Sequence, residues 1–295
     1  MEINSFVSGR TKVMGLVGNP VEHSISPFLH NTISSVTGID AVYVAFKVEK
    51  ESLCDAVKGL KALNVLGFNV TVPYKKEIMK YLDENSKEAL LMGAVNTVKN
   101  IDGRLYGYNT DAEGFSRSFK EEAGTGFKGK SVFIIGAGGT SRAIAVKIAA
   151  EGAKRVCIAN RTAEKAIDIS DMINSNVNSV ARGLGLYEEE TKNVFRDCEI
   201  IINTTSAGMF PDIGGSPVDN TFEFSKGQIV YDVIYNPPKT RFLEEAEKNN
   251  CKTINGTGML FYQAVYAYEI WTGLKLGDEF LAELYASFKN ILLKK

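Results

Sequence analysis

The chain has 295 residues, 44% of them apolar and 23% charged, which is enough for two globular domains with buried cores. Thirty-four Lys and Arg against 35 Asp and Glu leave a formal charge of −1, so no basic excess points to nucleic acid. Cys54, Cys157, Cys198 and Cys251 show no CxxC spacing, His23 and His30 are the only histidines, and no leader-like or membrane-length apolar run is present. A disulfide framework, a metal site and a membrane partner are therefore not expected, and a cytoplasmic enzyme of small molecules is.

Lys12–Val17, Ala41–Lys47 and Val65–Val70 read as strands, with helical patterns at Pro27–Thr37 and Glu51–Leu63 between them. After the first strand come Gly18-Asn19-Pro20 and His23-Ser24-Ile25-Ser26-Pro27. Ser26 ahead of Pro27 is an expected N-cap, whereas Ser24 has no such structural reason. The third strand runs into Asn69-Val70-Thr71-Val72-Pro73-Tyr74-Lys75. Pro73 is expected to end that strand and open a helix with Lys75 in its first turn. A cation there opposes the helix dipole by about 0.3–1 kcal/mol, so Lys75 stands out as an acid–base candidate. Lys76 reads as a solvated surface lysine.

Within Val95–Tyr108, Asp102-Gly103 signals a two-residue hairpin. If Ile101 faces Arg104, Asn96 pairs with Asn109, and Gly93–Thr97 meets Asn109-Thr110-Asp111. The hairpin is equally readable as a plain structural edge. Together these clusters offer hydroxyls, amides, one amine and one carboxylate, which suits a polyhydroxylated acid.

A second α/β series follows. Its expected strands are Ser131–Ile135, Arg155–Ala159, Glu199–Asn203 and Ile229–Asp232, and its helices are Thr140–Glu151, Thr162–Ile173 and Thr240–Asn249. The first strand enters Gly136-Ala137-Gly138-Gly139-Thr140, the strand–turn–helix context of a dinucleotide phosphate loop. The third glycine of GxGxxG is missing, and a ligand-free glycine-rich turn is the competing reading. The next strand ends in Asn160-Arg161-Thr162 with Lys165 one turn on. No carboxylate stands where an NAD-binding chain places one. Arg161 offers a planar donor for a 2′-phosphate, which favours NADP. Arg161 as a mere solvated cation is the alternative. Asn203-Thr204-Thr205-Ser206-Ala207-Gly208-Met209 is a further polar strand end. From Gly258 the pattern is helical to the end of the chain.

These stretches, taken together and in order, resemble shikimate dehydrogenase over essentially the full length. They are GNPVEHSISPFLHN, NVTVPYK, GAVNT, NTD, GAGGTSRA, NRT, NTTSAGM, YDVIYNPPKT and GMLFYQA. The resemblance implies NADP-dependent, reversible reduction of 3-dehydroshikimate to shikimate in aromatic amino-acid biosynthesis, by a monomer or homodimer. It implies two α/β domains: a substrate domain, 1–111, completed by C-terminal helices, 256–295, and a Rossmann-like doubly wound NADP domain, 112–255. It makes Lys75 the acid–base lysine and Asp111 the aspartate that orients it. Ser24, Ser26, Thr71, Lys75, Asn96, Asp111, Tyr235 and Gln263 become substrate contacts. Gly136 to Thr140 (with Ala137, Gly138 and Gly139), Asn160, Arg161, Thr162, Lys165, Val233 and Gly256 become cofactor contacts. Lys87 departs from an acid in some relatives and receives no role. A quinate/shikimate dehydrogenase and a non-catalytic NADP-binding sensor on the same fold remain the alternatives.

Overall fold

The computed structural model describes residues 7–292, and the chain divides into two compact units. The first comprises the chain through Thr110 together with Ala264–Phe288; the second is Asp111–Gln263 with the residues from Lys289. The division falls inside a helix, Thr257–Thr272, just beyond the boundary expected between 255 and 256.

The first unit opens with β1 (Lys12–Gly18), α1 (Ser26–Thr37), β2 (Ala41–Lys47), α2 (Leu53–Ala62) and β3 (Gly67–Val70). It continues with β4 (Glu84–Asn85), α3 (Lys87–Met92), β5 (Thr97–Ile101) and β6 (Arg104–Tyr108). The sheet order is β2-β1-β3-β5-β6-β4. β2, β1 and β3 are parallel, while β5 runs antiparallel to both β3 and β6. Asp102 and Gly103 take φ of 50° and 80°, as a two-residue hairpin turn demands. The register sets Ile101 opposite Arg104, as expected.

The second unit contains α4 (Asp111–Ala123), β7 (Ser131–Ile135), α5 (Gly139–Ala150), β8 (Arg155–Asn160), α6 (Ala163–Asn176) and β9 (Ala181–Gly185). There follow α7 (Glu189–Asp197), β10 (Ile200–Asn203), β11 (Ile229–Asp232), α8 (Arg241–Lys248) and β12 (Lys252–Ile254). The sheet is parallel throughout, in the order β12-β11-β10-β7-β8-β9. This is the doubly wound arrangement, with its switch point between β7 and β10. β7 and β10 read as unbroken apolar runs because both their faces are covered. Phe133, Phe195, Ile201, Val230 and Phe242 are among the side chains of this core.

The chain ends in α9 (Thr257–Thr272) and α10 (Asp278–Leu292). Trp271 of α9 packs on β3 and donates from Nε1 to the Val98 carbonyl at 2.8 Å. A Cβ at Gly67 would lie 2.2 Å from the indole, so only glycine leaves room for this contact. His30 of α1 stacks on Tyr43 at 4.2 Å and lies 5.1 Å from Trp271, completing an aromatic core beneath the sheet. No helix among the described residues is long and apolar enough to cross a membrane.

Candidate active site

In the first unit the expected polar residues gather at one end of the sheet, where β1 and β3 finish and the β5–β6 hairpin opens. Thr71 N–H donates to the Val17 carbonyl at 2.9 Å and Asn19 N–H to the Val72 carbonyl at 3.1 Å. These bonds hold the loop carrying Ser24 and Ser26 against the turn carrying Thr71 and Lys75. Ser26 is not the N-cap of α1. The helix starts at Ser26 itself with Ile25 in the cap position, and Ser24 Oγ accepts the Ser26 N–H at 3.2 Å. Ser24 therefore has a structural task that the sequence did not reveal.

Nor does a helix begin at Pro73. Residues 71–76 form turns, and a short 3-10 helix starts only at Glu77. Lys75 precedes it, so the helix-dipole argument does not apply. What fixes Lys75 instead is its neighbourhood. Val95 N–H donates to the Lys75 carbonyl at 2.8 Å. Tyr74, 2% exposed, sends its hydroxyl to the Val48 carbonyl at 2.6 Å. Lys75, itself half-buried, thus stands on a braced turn.

Asn96, Thr97, Thr110 and Asn69 are all buried and form one network. Thr110 N–H donates to Asn96 Oδ1 at 2.7 Å, and Asn96 Nδ2 donates to Thr110 Oγ1 at 3.0 Å. Asn69 Nδ2 reaches the Asn96 carbonyl and Thr97 Oγ1, both at 3.0 Å. Tyr43 OH closes the set by donating to Asn69 Oδ1 at 2.8 Å. Burial holds the Tyr43 phenol well above its usual range, which keeps it a donor. Neither Tyr43 nor Tyr74 was given a role from sequence, because their partners Asn69 and Val48 lie on other elements.

Asp111, Tyr235 and Gln263 belong to the second unit. Asp111 opens α4 directly after Thr110. Tyr235 follows β11 and is 37% exposed. Gln263 lies in α9 and donates from Nε2 to the Leu260 carbonyl at 2.9 Å. Lys87, the first residue of α3, is exposed.

The expected cofactor residues lie at the carboxyl ends of the parallel strands of the second unit, where such sheets bind ligands. Gly136 follows β7 with φ +107°, and a Cβ there would meet Thr204 Oγ1 at 2.7 Å. Gly138 caps α5 without any side chain, and added carbon atoms at Gly138 or Gly139 would meet nothing within 4 Å. The first turn of α5 contains no acid. This open helix start and its free N–H groups suit a phosphate. Asn160 Nδ2 donates to the Thr162 carbonyl at 2.9 Å, shaping the tip of β8, where Arg161 and Lys165 are exposed. Val233 N–H donates to the Asn203 carbonyl at 3.1 Å, and Gly256 N–H to the Ile234 carbonyl at 2.9 Å. The ends of β10, β11 and β12 are thereby tied together. The residues present fit an NADP molecule.

Asp232, the last residue of β11, is fully buried, and its hydrogen bonds come from Thr240, Ile234 and Asn203, none of them charged. Burial raises its carboxyl to about 6 against these stabilising bonds. Sequence reading passed it over as a strand terminus.

The chain matches three family models: shikimate dehydrogenase substrate binding domain at residues 16–98, shikimate / quinate 5-dehydrogenase at 118–212, and shikimate 5′-dehydrogenase C-terminal domain at 256–276. It is 46% identical to the shikimate dehydrogenase (NADP(+)) of Methanocaldococcus jannaschii, over 98% of this chain and 99% of that one. A crystal structure of a shikimate dehydrogenase in complex with NADP+ superimposes with a TM-score of 0.86 at 43% identity, covering 95% of this chain and 96% of the other. The shikimate 5-dehydrogenase of Listeria monocytogenes, in complex with shikimate and NAD, gives a TM-score of 0.90 at 39% identity, covering 96% and 99%. With motifs, sheet orders and full-length likeness in agreement, the chain belongs to the shikimate dehydrogenase family.

Proposed function

We propose that this chain catalyses the reversible, NADP-dependent reduction of 3-dehydroshikimate to shikimate in aromatic amino-acid biosynthesis. The observation that carries the reading is the presence of both polar clusters in one chain. One is the braced Lys75 turn beside the Asn96 network. The other is the phosphate loop with Arg161 at the adjacent strand tip. A protein that only sensed a nucleotide would need the second alone. Quinate is the competing substrate, because the model matching 118–212 covers enzymes of both acids. Cytoplasmic action on small molecules, as a monomer or homodimer, completes the reading.

NADP, when bound, supplies or accepts the hydride. Gly136, Ala137, Gly138, Gly139 and Thr140 hold its pyrophosphate with backbone N–H groups. Asn160, Arg161, Thr162 and Lys165 take the ribose end, and Val233 and Gly256 line the rim. Ser24, Ser26, Thr71, Asn96, Tyr235 and Gln263 bind substrate hydroxyl and carboxylate groups. Lys75 moves the proton at the substrate oxygen, assisted by Asp111.

Positioned acid–base groups contribute about 10²–10⁴-fold, concentrated in the transition state. Lys75→Ala should therefore lower kcat by about a hundredfold or more and shift the shikimate KM only a few fold. Near-normal kcat with a greatly raised KM would make Lys75 a substrate anchor and leave the proton to another group.

A further inference from the structure

Asp232 is an acceptor-only group in a position where burial disfavours its charge. Its side chain is 0% exposed, and its partners are three neutral donors. Asn203 Nδ2 reaches Oδ1 at 3.0 Å, Ile234 N–H reaches Oδ1 at 3.1 Å, and Thr240 Oγ1 reaches Oδ2 at 2.6 Å. Hydrogen bonds alone keep such a carboxylate in place, and a neutral isostere would fold at least as well.

As an acceptor, Asp232 sets the orientation of Asn203, which is itself completely buried. An amide can face either way, and Asp232 admits only the orientation that presents Nδ2 to it. Asn203 Oδ1 must then point to the next turn, where it accepts from Thr205 N–H at 2.9 Å and Thr205 Oγ1 at 2.8 Å. Thr204 and Thr205 are the residues that an added carbon atom at Gly136 would strike, at 2.7 and 3.0 Å. The same carboxylate holds Ile234 beside Val233, and Thr240 at the start of α8. The segments that follow β10 and β11 are thus registered by one buried group.

We propose that Asp232 and Asn203 are positioning residues for NADP, the carboxylate fixing the Asn203 amide and the amide fixing the Thr204–Thr205 turn beside the phosphate loop. The inference rests on the reading of these strand ends as the NADP site.

Four variants of the full chain test it, with NADPH affinity measured by fluorescence titration, thermal stability by circular dichroism, and KM for both substrates. Asn203→Asp sets two carboxylates face to face, and Asp232→Ala removes the orienting acceptor. Both should raise the NADPH Kd about tenfold or more while the shikimate KM moves less than about threefold. Asp232→Asn should restore NADPH affinity to within about threefold of wild type. Its Oδ1 still serves Asn203 and Ile234, and the Thr240 hydroxyl can turn to accept. Should the first two fail to fold, Thr205→Val, which deletes one donor to Asn203, should still raise the Kd by about threefold or more. Folded variants that bind NADPH like wild type, with only a lowered melting temperature, would overturn the proposal. A wild-type chain that fails to bind NADPH would instead overturn the cofactor reading on which it rests.

Discussion

Two glycines of the phosphate loop separate folding from ligand approach. Gly136 has φ +107°, where a side chain adds strain of about 1–3 kcal/mol. Its added Cβ would sit 2.7 Å from Thr204 Oγ1 and displace that hydroxyl from the Ile135 carbonyl, which it now reaches at 2.7 Å. Losing that bond adds about 1 kcal/mol. Gly136→Ala should thus destabilise by about 2–4 kcal/mol and lower Tm by roughly 5–15 °C. Gly138 has φ −92°, which any residue adopts, and its added Cβ meets nothing within 4 Å. Gly138→Ala should change stability by less than about 1 kcal/mol, the usual cost of alanine at an N-cap. If the backbone there approaches a pyrophosphate, the same methyl should weaken NADPH binding about tenfold or more. Thermal unfolding by circular dichroism and fluorescence titration with NADPH measure both effects. A Gly138→Ala protein with wild-type NADPH affinity would refute the assignment of the loop, and a Gly136→Ala protein with wild-type Tm would refute the steric reasoning.

Arg161→Ala should raise the KM for NADPH about tenfold or more and leave that for NADH nearly unchanged, since a hydrogen bond to a charged group is worth about 1.5–3 kcal/mol. Steady-state kinetics with both cofactors decide this, and equal damage to both would dismiss the 2′-phosphate contact. Asp232, raised to about 6 from an ordinary 3.8, also predicts a pH signature. A raised folded-state pKa gives stability that is complete below the unfolded value and lost as pH rises through the folded one. Relative to Asp232→Asn, wild-type stability should fall between about pH 4 and pH 6 by on the order of 3 kcal/mol, then level off. Parallel urea-unfolding curves across that range would contradict the raised carboxyl.

Much of this architecture was legible because short apolar runs and turn residues carry it. Ser131–Ile135 and Ile229–Asp232 appear where their patterns put them, and Asp102-Gly103 fixed the hairpin register and hence the meeting of Asn96 with Thr110. The edge strands of the second sheet were not legible. β9 and β12 are short and only partly buried, so neither shows an apolar run, and α7 carries too few apolar residues to stand out. The Lys75 turn was misread because a proline after a strand signals a helix start only when the following residues can pair. Here Tyr74 turns inward to Val48 instead. Asp232 escaped notice because its role depends on Asn203 and Thr240, which only the tertiary fold brings together.

The most direct test of the account is reduction of NADP+ by the purified wild-type chain with shikimate, set beside quinate and beside NAD+. The account predicts a kcat/KM for shikimate with NADP+ that exceeds the other pairings by about tenfold or more. No reduction with shikimate, or equal rates with quinate or NAD+, would contradict it.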